Sequence, residues 1–257
     1  MNPHPAPSSL HAARLISASS AVLCAVLLAA CAATTPPAPA PAPSLGTPAA
    51  AGGPGADATL AGASDYLQAA KAGQAVYRID PARSLVAVTV RRGGTFAKFG
   101  HDHVIASRTL AGYAAPDAGR ADFAFRLDQM TVDEPALRLD AGLDTQPDAD
   151  AIAGTRNNML TRVLGAARYP LVQLHAETVT GQAGMLRLTV TLHGVSRTVE
   201  VATSIERSSA ELSASGKLTL RQTDFGITPM SVFNGAMTVQ DAMELRFRIV
   251  ALPVQLP

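Results

Sequence analysis

The chain of 257 residues carries 21 Lys and Arg against 20 Asp and Glu, which gives a formal net charge of +1 at pH 7. This balance offers no electrostatic basis for binding nucleic acid, and the absence of Trp with 4% aromatic residues argues against a platform for stacking bases. The cysteines, Cys24 and Cys31, both lie near the N-terminus, which excludes thiol catalysis and a thiolate metal site elsewhere in the chain.

The N-terminal segment has the pattern of a secretory signal. Arg14 precedes an apolar run over residues 15–30, which is shorter than the ~20 residues that a membrane-spanning helix needs. Residues 28–31 (Leu-Ala-Ala-Cys) resemble the lipobox of bacterial lipoproteins, whose cysteine is diacylated before cleavage. We therefore predict a lipoprotein signal peptide at residues 1–30 and lipidation at Cys31. A plain cleaved signal that happens to end in cysteine is the alternative.

This resemblance implies a location and a first partner. A lipidated Cys31 would hold the protein on the periplasmic side of the cell envelope, with the membrane as its partner through the lipid anchor. Ala32 follows the cysteine, whereas an Asp there would resemble an inner-membrane retention signal. The predicted location is therefore the outer membrane.

Residues 31–63 are predicted to be a tether between this anchor and the body of the protein. The segment consists almost wholly of Ala, Pro, Gly, Thr and Ser, so it cannot bury enough apolar surface to offset the entropy of ordering. Its prolines favour an extended chain. The remaining residues, 64–257, have the length of one ordinary domain.

The domain opens with a predicted helix that begins at Ser64 as its N-cap and ends at Gly73. Apolar and polar residues then alternate with a period of two, which is typical of antiparallel strands with one buried face. The predicted strands are, in chain order, residues 76–79, 85–91, 104–113, 120–128, 171–179, 185–193, 198–205, 211–221 and 243–249. So many strands in one domain predict a closed barrel or a sandwich.

One helix interrupts the strand series. Apolar residues recur at helical spacing from Asp148 to Leu164, and the pattern stops at Gly165 and Pro170. A helix at this point in the series would make a natural lid for one mouth of a barrel.

Four motifs resemble the YceI-like family. They are residues 76–81 (Val-Tyr-Arg-Ile-Asp-Pro) followed by Ser84, residues 168–170 (Arg-Tyr-Pro), residues 192–197 (Leu-His-Gly-Val-Ser-Arg) and residues 220–227 (Leu-Arg-Gln-Thr-Asp-Phe-Gly-Ile). Their order and spacing agree with the family over about residues 76–252. The Asp-Phe-Gly is not a kinase motif, because no glycine-rich or catalytic loop accompanies it.

The resemblance implies a mainly β fold: an extended, antiparallel, eight-stranded lipocalin-like barrel in a periplasmic protein, here a lipoprotein. Family members hold a long isoprenoid or similar amphiphilic chain in the barrel. Alternation then gives the candidate ligand-lining residues, with Gly216 leaving room between them. These are Val86, Val88, Phe123, Phe125, Leu186, Leu188, Leu218, Leu220, Leu245 and Phe247. The alternative is that these side chains simply fill a solid core.

The chain departs from the family pattern at residues 100–103 (Gly-His-Asp-His). In an extended segment His101 and His103 would point the same way, and with Asp102 they could hold Zn or Cu. Hydrogen-bonded or head-group-binding histidines are the other interpretation. Alternation places His175 and His193 on polar strand faces. We expect replacement of both His101 and His103 to change stability little and to affect function more.

Three classes of function follow. The first is an extracytoplasmic lipoprotein that binds or carries a long-chain amphiphile of isoprenoid type, with no nucleic acid as partner. The second is a metal- or haem-associated periplasmic protein that uses His101 and His103. The third is an enzyme, which we do not predict, because no nucleophile, base and acid occur at motif spacing. Arg221 and Asp224 are assigned the ordinary roles of a surface charge and a turn former.

Overall fold

The computed structural model describes residues 62–143 and 145–256. The predicted signal peptide, Cys31 and nearly all of the predicted tether lie outside the described residues. Within the described part of the chain, no helix is both long and apolar enough to cross a membrane.

The described residues form three α-helices and twelve strands. The helices are α1 (Ala63–Lys71), α2 (Pro135–Asp140) and α3 (Ala149–Asn158). The strands are β1 (Tyr77–Ile79), β2 (Leu85–Gly93), β3 (His103–Ser107), β4 (Ala111–Ala115), β5 (Arg120–Arg126), β6 (Thr131–Val132), β7 (Leu171–Thr178), β8 (Met185–Leu192), β9 (Val195–Arg207), β10 (Leu212–Arg221), β11 (Ser231–Val232) and β12 (Met237–Pro253).

The long last strand, β12, closes the barrel. Its 17 residues pair with β10 along one edge and with β2 and then β1 along the other edge. The ring β1–β4–β5–β7–β8–β9–β10–β12 returns to β1 through antiparallel pairs throughout. The predicted eight-stranded antiparallel barrel is confirmed.

The sheet branches between its first two strands. A 3₁₀ turn that begins at Pro81 separates β1 from β2, and β1 then pairs with β4 whereas β2 pairs with β3. The prediction of one continuous strand over residues 104–113 is therefore wrong. The chain bends after Ser107, where Leu110 is buried in the core and Arg108 turns outward to Glu134. The sequence did not predict β6, β11 or α2. These elements are too short for an alternation or a helical spacing of apolar residues to be recognised.

Helix α1 covers the outside of the barrel. Tyr66, 1% exposed, stacks on Tyr113 at 5.6 Å between ring centroids, and its hydroxyl donates to Asp122 Oδ2 at 2.7 Å. Ser64 is not the N-cap, contrary to the prediction. The N-cap is Gly62 at φ 87°, so the helix starts two residues earlier than predicted, and the hydroxyl of Ser64 donates to Asp65.

The helix predicted from Asp148 to Leu164 is confirmed. The carboxylate of Asp148 caps α3 by accepting the N–H of Ala151 at 2.8 Å. The chain then continues as a π-helical turn over Met159–Val163. No side chain of α3 itself is fully buried, so the helix rests on the barrel mainly through partly buried residues such as Ile152.

Two of the family-like motifs pack against each other. His193 and Gly194 form the turn between β8 and β9 with φ of 54° and 75°, as a two-residue hairpin turn requires. Alternation predicted that His193 lies on a polar strand face. This prediction is wrong, because His193 belongs to the turn. The ring centroids of Tyr169 and His193 are 4.6 Å apart. A Cβ atom at position 194 would lie 2.8 Å from Cε1 of Tyr169, so the close packing of this ring requires glycine.

Candidate functional site

The barrel encloses a cavity of about 710 Å³. Its wall is made by alternate residues of the strands, because successive side chains point to opposite faces. All ten predicted lining residues lie on this wall: Val86, Val88, Phe123, Phe125, Leu186, Leu188, Leu218, Leu220, Leu245 and Phe247. Contact between these side chains and a ligand stays a prediction.

The register between β10 and β12 shows how the lining is aligned. Leu218 is paired with Leu245, and Leu220 with Met243. At each of these two levels of the barrel, an apolar side chain of β10 lies beside one of β12. All four line the cavity. The period-two pattern of each strand thus becomes a continuous apolar surface only through the pairing.

Gly216 leaves room for a neighbouring side chain. It is paired with Phe247, and a Cβ atom at position 216 would lie 2.7 Å from Cζ of that ring. The ring of Phe247 occupies the space that the glycine leaves free. Phe247 itself lines the cavity.

Small and polar residues line the end of the cavity at α3. Ala151, Gly154, Thr155 and Asn158 follow the i, i+3, i+4, i+7 spacing of one helix face and all line the cavity. This face contrasts with the leucines and phenylalanines of the strands. The cavity therefore has a mostly apolar wall and a polar region at the end near α3.

His101 and His103 lie at this same end. Both line the cavity, and their ring centroids are 6.0 Å apart. Their surroundings differ, because His101 is exposed ahead of β3 whereas the His103 side chain is only 13% exposed. Asp102 does not join them: its carboxylate accepts the N–H of Arg92 at 2.8 Å and pairs with Arg91 at 3.6 Å.

His103 is held by a hydrogen bond on each side of its ring. Its Nδ1 lies 2.6 Å from Oδ2 of Asp133, and its Nε2 lies 3.3 Å from Oγ1 of Thr155. Because a carboxylate only accepts, Nδ1 is the donor, and in neutral His103 the Nε2 atom accepts from the hydroxyl of Thr155. This chain of bonds joins β3 to α3 and orients the ring at the cavity.

Asp133 is the buried centre of this network. Its side chain is fully buried, and Oδ1 accepts from the N–H of Val104 at 3.0 Å and from Nη1 of Arg138 at 2.6 Å. Burial raises the pKa of Asp133, but the hydrogen bonds from His103, Val104 and Arg138 outweigh it, so the pKa lies below its ordinary value. Asp133 has φ 58°, a left-handed conformation that Asp tolerates better than most residues.

Arg138 on α2 completes the network. It is 1% exposed, and besides Asp133 it donates to the carbonyl oxygens of Asp102 at 2.7 Å and Thr145 at 2.8 Å. The guanidinium thus connects α2, the start of β3 and the chain before α3. Sequence reasoning missed Asp133, Arg138 and Thr155, since each has the residue type of an ordinary surface position.

The binding of Zn or Cu by His101 and His103 stays a prediction. Within residues 62–143 and 145–256, no group of three His, Cys, Asp or Glu side chains is placed to hold a metal ion. A Zn or Cu ion at His103 would have to replace Thr155 at Nε2, with Asp133 keeping Nδ1. His101 would be its second ligand.

The residues of the fourth family-like motif, residues 220–227, have surface or packing roles. Arg221 is exposed and lies 3.9 Å from Asp241, and Asp224 belongs to the 3₁₀ turn Thr223–Phe225. Phe225 is fully buried in the core, and Gly226 ends the turn at φ 68°. The Asp-Phe-Gly segment is thus a turn that anchors itself by one aromatic ring.

Several solved structures are similar to the chain. A polyisoprenoid-binding domain from Saccharophagus degradans, implicated in plant cell wall breakdown, is 12% identical with a TM-score of 0.49, covering 69% of this chain and 98% of its own. BcnA of Burkholderia cenocepacia is 14% identical with a TM-score of 0.47, over 67% and 99%. A YceI protein of Campylobacter jejuni is 13% identical with a TM-score of 0.37, over 55% and 77%. No curated protein matches the chain.

The model of one family matches most of the barrel. The YceI-like domain covers residues 77–251, which is more than half of the chain. The match begins at the first residue of β1 and ends within β12, the strand that closes the ring. The chain therefore belongs to the YceI-like domain family.

Proposed function

We propose that the protein binds the apolar chain of a long amphiphile, of isoprenoid type, inside its barrel. The observation that carries this proposal is the cavity of about 710 Å³ with a wall of aliphatic and phenylalanine side chains. That volume lies within the range of roughly 300–1,000 Å³ typical of small-molecule sites. Each methylene that leaves water for such a wall contributes about 0.8 kcal/mol.

The polar end of the cavity supports an amphiphile rather than a plain hydrocarbon. His101, Thr155 and Asn158 line it at α3, next to the oriented ring of His103. A hydroxyl or carbonyl head group would find donors and acceptors there while its chain lies among the leucines. We propose binding rather than catalysis, because the most buried polar groups at this end are already bonded to one another.

The location is part of the same proposal. The lipobox-like residues 28–31 and the Pro- and Ala-rich stretch after them support a protein tethered to the periplasmic side of the envelope by lipid on Cys31. A carrier of membrane-derived amphiphiles is useful close to a bilayer. These residues lie outside the described part of the chain.

Native mass spectrometry tests the proposed ligand. The full chain carrying Cys31→Ser, which removes the expected lipid anchor, is purified from bacterial cells, and bound molecules are extracted and identified. We expect a population whose extra mass is that of a long-chain amphiphile. A chain that is always free of lipid, and that takes up none from added farnesol or a longer polyprenol, would contradict the proposal.

A further inference from the structure

Two neighbouring loops at the cavity expose aromatic side chains. We call them the rim loops: residues 94–101, between β2 and β3, and residues 230–237, which include β11 and its turn into β12. Phe96 and Phe99 on the first are 47% and 66% exposed, and Phe233 on the second is 71% exposed. Three of the seven phenylalanines of the chain are therefore exposed to solvent on these two segments.

The rim loops touch each other and form one edge of the cavity. The N–H of Phe96 donates to the carbonyl oxygen of Ala236 at 2.7 Å. Phe99, Gly100 and His101 of the first loop and Met230, Val232 and Met237 of the second all line the cavity. The exposed rings thus lie on two loops that form part of the cavity wall, and Phe99 itself lines the cavity.

The charge of the rim loops suits a membrane surface. Their sixteen residues contain no Asp or Glu, and their one charged side chain is Lys98, whose Nζ lies 5.0 Å from the ring centroid of Phe99. Asp102, which directly follows the first loop, is paired with Arg91 and Arg92. Exposed phenylalanines beside a lysine are the composition of segments that dip into the boundary between acyl chains and anionic head groups. A protein partner recognised by ion pairs would find few charges here.

The other exposed large apolar residues of the described chain lie on several different elements. They are Leu67 on α1, Leu139 on α2, Ile205 on β9, Leu252 near the end of β12 and Leu256 after it. Single exposed apolar residues are normal, whereas a contiguous patch marks an interaction site. Phe233 also has φ 52°, an unfavourable conformation for a bulky residue that holds its ring at the tip of the turn.

From these observations we propose that the rim loops dock the cavity mouth on the surface of an anionic phospholipid bilayer. Phe96, Phe99 and Phe233 insert among the acyl chains, and Lys98 contacts the phosphates. The passage of an amphiphile between bilayer and cavity then needs no step through water, a consequence that rests on the proposed function. The docking itself does not depend on it.

The absence of Trp from the chain provides the experiment. Phe99→Trp and Phe233→Trp each introduce a single reporter at the rim, and Leu139→Trp introduces a matched reporter at an exposed position away from the cavity lining. The full-length chains are mixed or reconstituted with vesicles of phosphatidylcholine and phosphatidylglycerol whose acyl chains are brominated. Bromine quenches only a tryptophan that enters the acyl region.

We expect F99W and F233W to shift their emission to the blue and to lose most of it in brominated vesicles, while L139W does neither. Quenching at the rim that is no greater than that of L139W overturns the proposal, even where the protein is held on the vesicle by its anchor. A blue shift without vesicles that grows with protein concentration overturns it too, because the surface then binds a second copy. Lipid extraction from the same samples reports separately on the proposed function.

Discussion

The Nδ1 atom of His103 lies 2.6 Å from the Oδ2 atom of Asp133, and this contact joins the cavity surface to a carboxylate that is fully buried. Arg138 neutralises the carboxylate from its other side at 2.6 Å. The ring that faces the cavity is therefore fixed by Asp133 and Arg138, which do not line the cavity. Such a support holds the side chain in one orientation before any ligand binds.

Replacing Arg138 by Met is expected to destabilise the protein strongly. Asp133 would keep a buried charge without its guanidinium partner, and losing one member of a buried pair costs about 3–5 kcal/mol. Urea denaturation measures the free energy of unfolding. The matched control is Arg108→Met, since the Arg108–Glu134 pair is partly exposed, with side chains 48% and 29% exposed, and is worth at most about 1 kcal/mol. Equal losses for the two variants would contradict the buried-pair interpretation.

The two histidines at the cavity should respond differently to substitution. His103→Asn removes a hydrogen bond to a buried carboxylate, and we expect a loss of about 1–3 kcal/mol in stability. His101→Asn changes an exposed side chain and should stay within about ±0.5 kcal/mol. The structure therefore revises the expectation that replacing both histidines changes stability little. Thermal unfolding of the two single variants decides between these outcomes.

A tryptophan at position 218 distinguishes a hollow barrel from a solid one. Leu218→Trp projects into the cavity, so we expect little loss of stability and less co-purified amphiphile than in the wild type. Leu137→Trp is the control, because Leu137 is 4% exposed in the closed cluster between α2 and the outer face of β2 and β3. Overpacking there should cost about 1–3 kcal/mol. Similar losses at both positions would mean that the interior cannot accept a chain.

His175 is expected to make stability depend on pH near neutrality. Burial lowers the pKa of His175, but its hydrogen bonds to Asp122 and Glu177 and their charges outweigh this, so the pKa lies above its ordinary value of 6.5. The protonated ring therefore stabilises the fold fully below about pH 6.5, and this contribution disappears as the pH rises through the higher pKa of the folded state. The effect is small, because the side chain is 39% exposed.

Comparison of the wild type with His175→Gln measures that contribution. The difference in unfolding free energy should be largest near pH 5.5 and should shrink toward pH 9. An NMR titration of the ring should give a pKa that falls in Asp122→Asn. A difference in stability that grows with pH would show that the sign is reversed.

Cys31→Ser tests the predicted anchor. Two or more acyl chains hold a protein stably on a membrane, whereas one binds only marginally. We expect the wild type in the membrane fraction, labelled by radioactive palmitate, and the variant unprocessed or released. Wild-type protein that takes up no palmitate and is wholly in the soluble periplasmic fraction would refute the lipoprotein assignment.

Local pattern alone determined much of this protein. The alternation in residues 185–193 and 211–221 predicted strands, and the apolar half of each strand lines the cavity as the pleat requires. The capped helix at Asp148 was equally visible, because its N-cap, apolar spacing and terminal glycine are all local signals. The family-like motifs added the barrel topology, which alternation could not distinguish from a sandwich.

Only the tertiary structure decided what depends on residues far apart in sequence. Both Leu218 and Val104 are apolar residues of predicted strands, and the alternation does not distinguish them. Leu218 nevertheless lines the cavity, whereas Val104 packs in the outer cluster beneath α2. Arg138 and Asp133 have the residue types of surface positions, and they are buried because α2 folds back over β3 and brings two opposite charges together. Burial and pairing are set by the packing of whole elements, and a local pattern records only which side of a strand or helix a residue occupies.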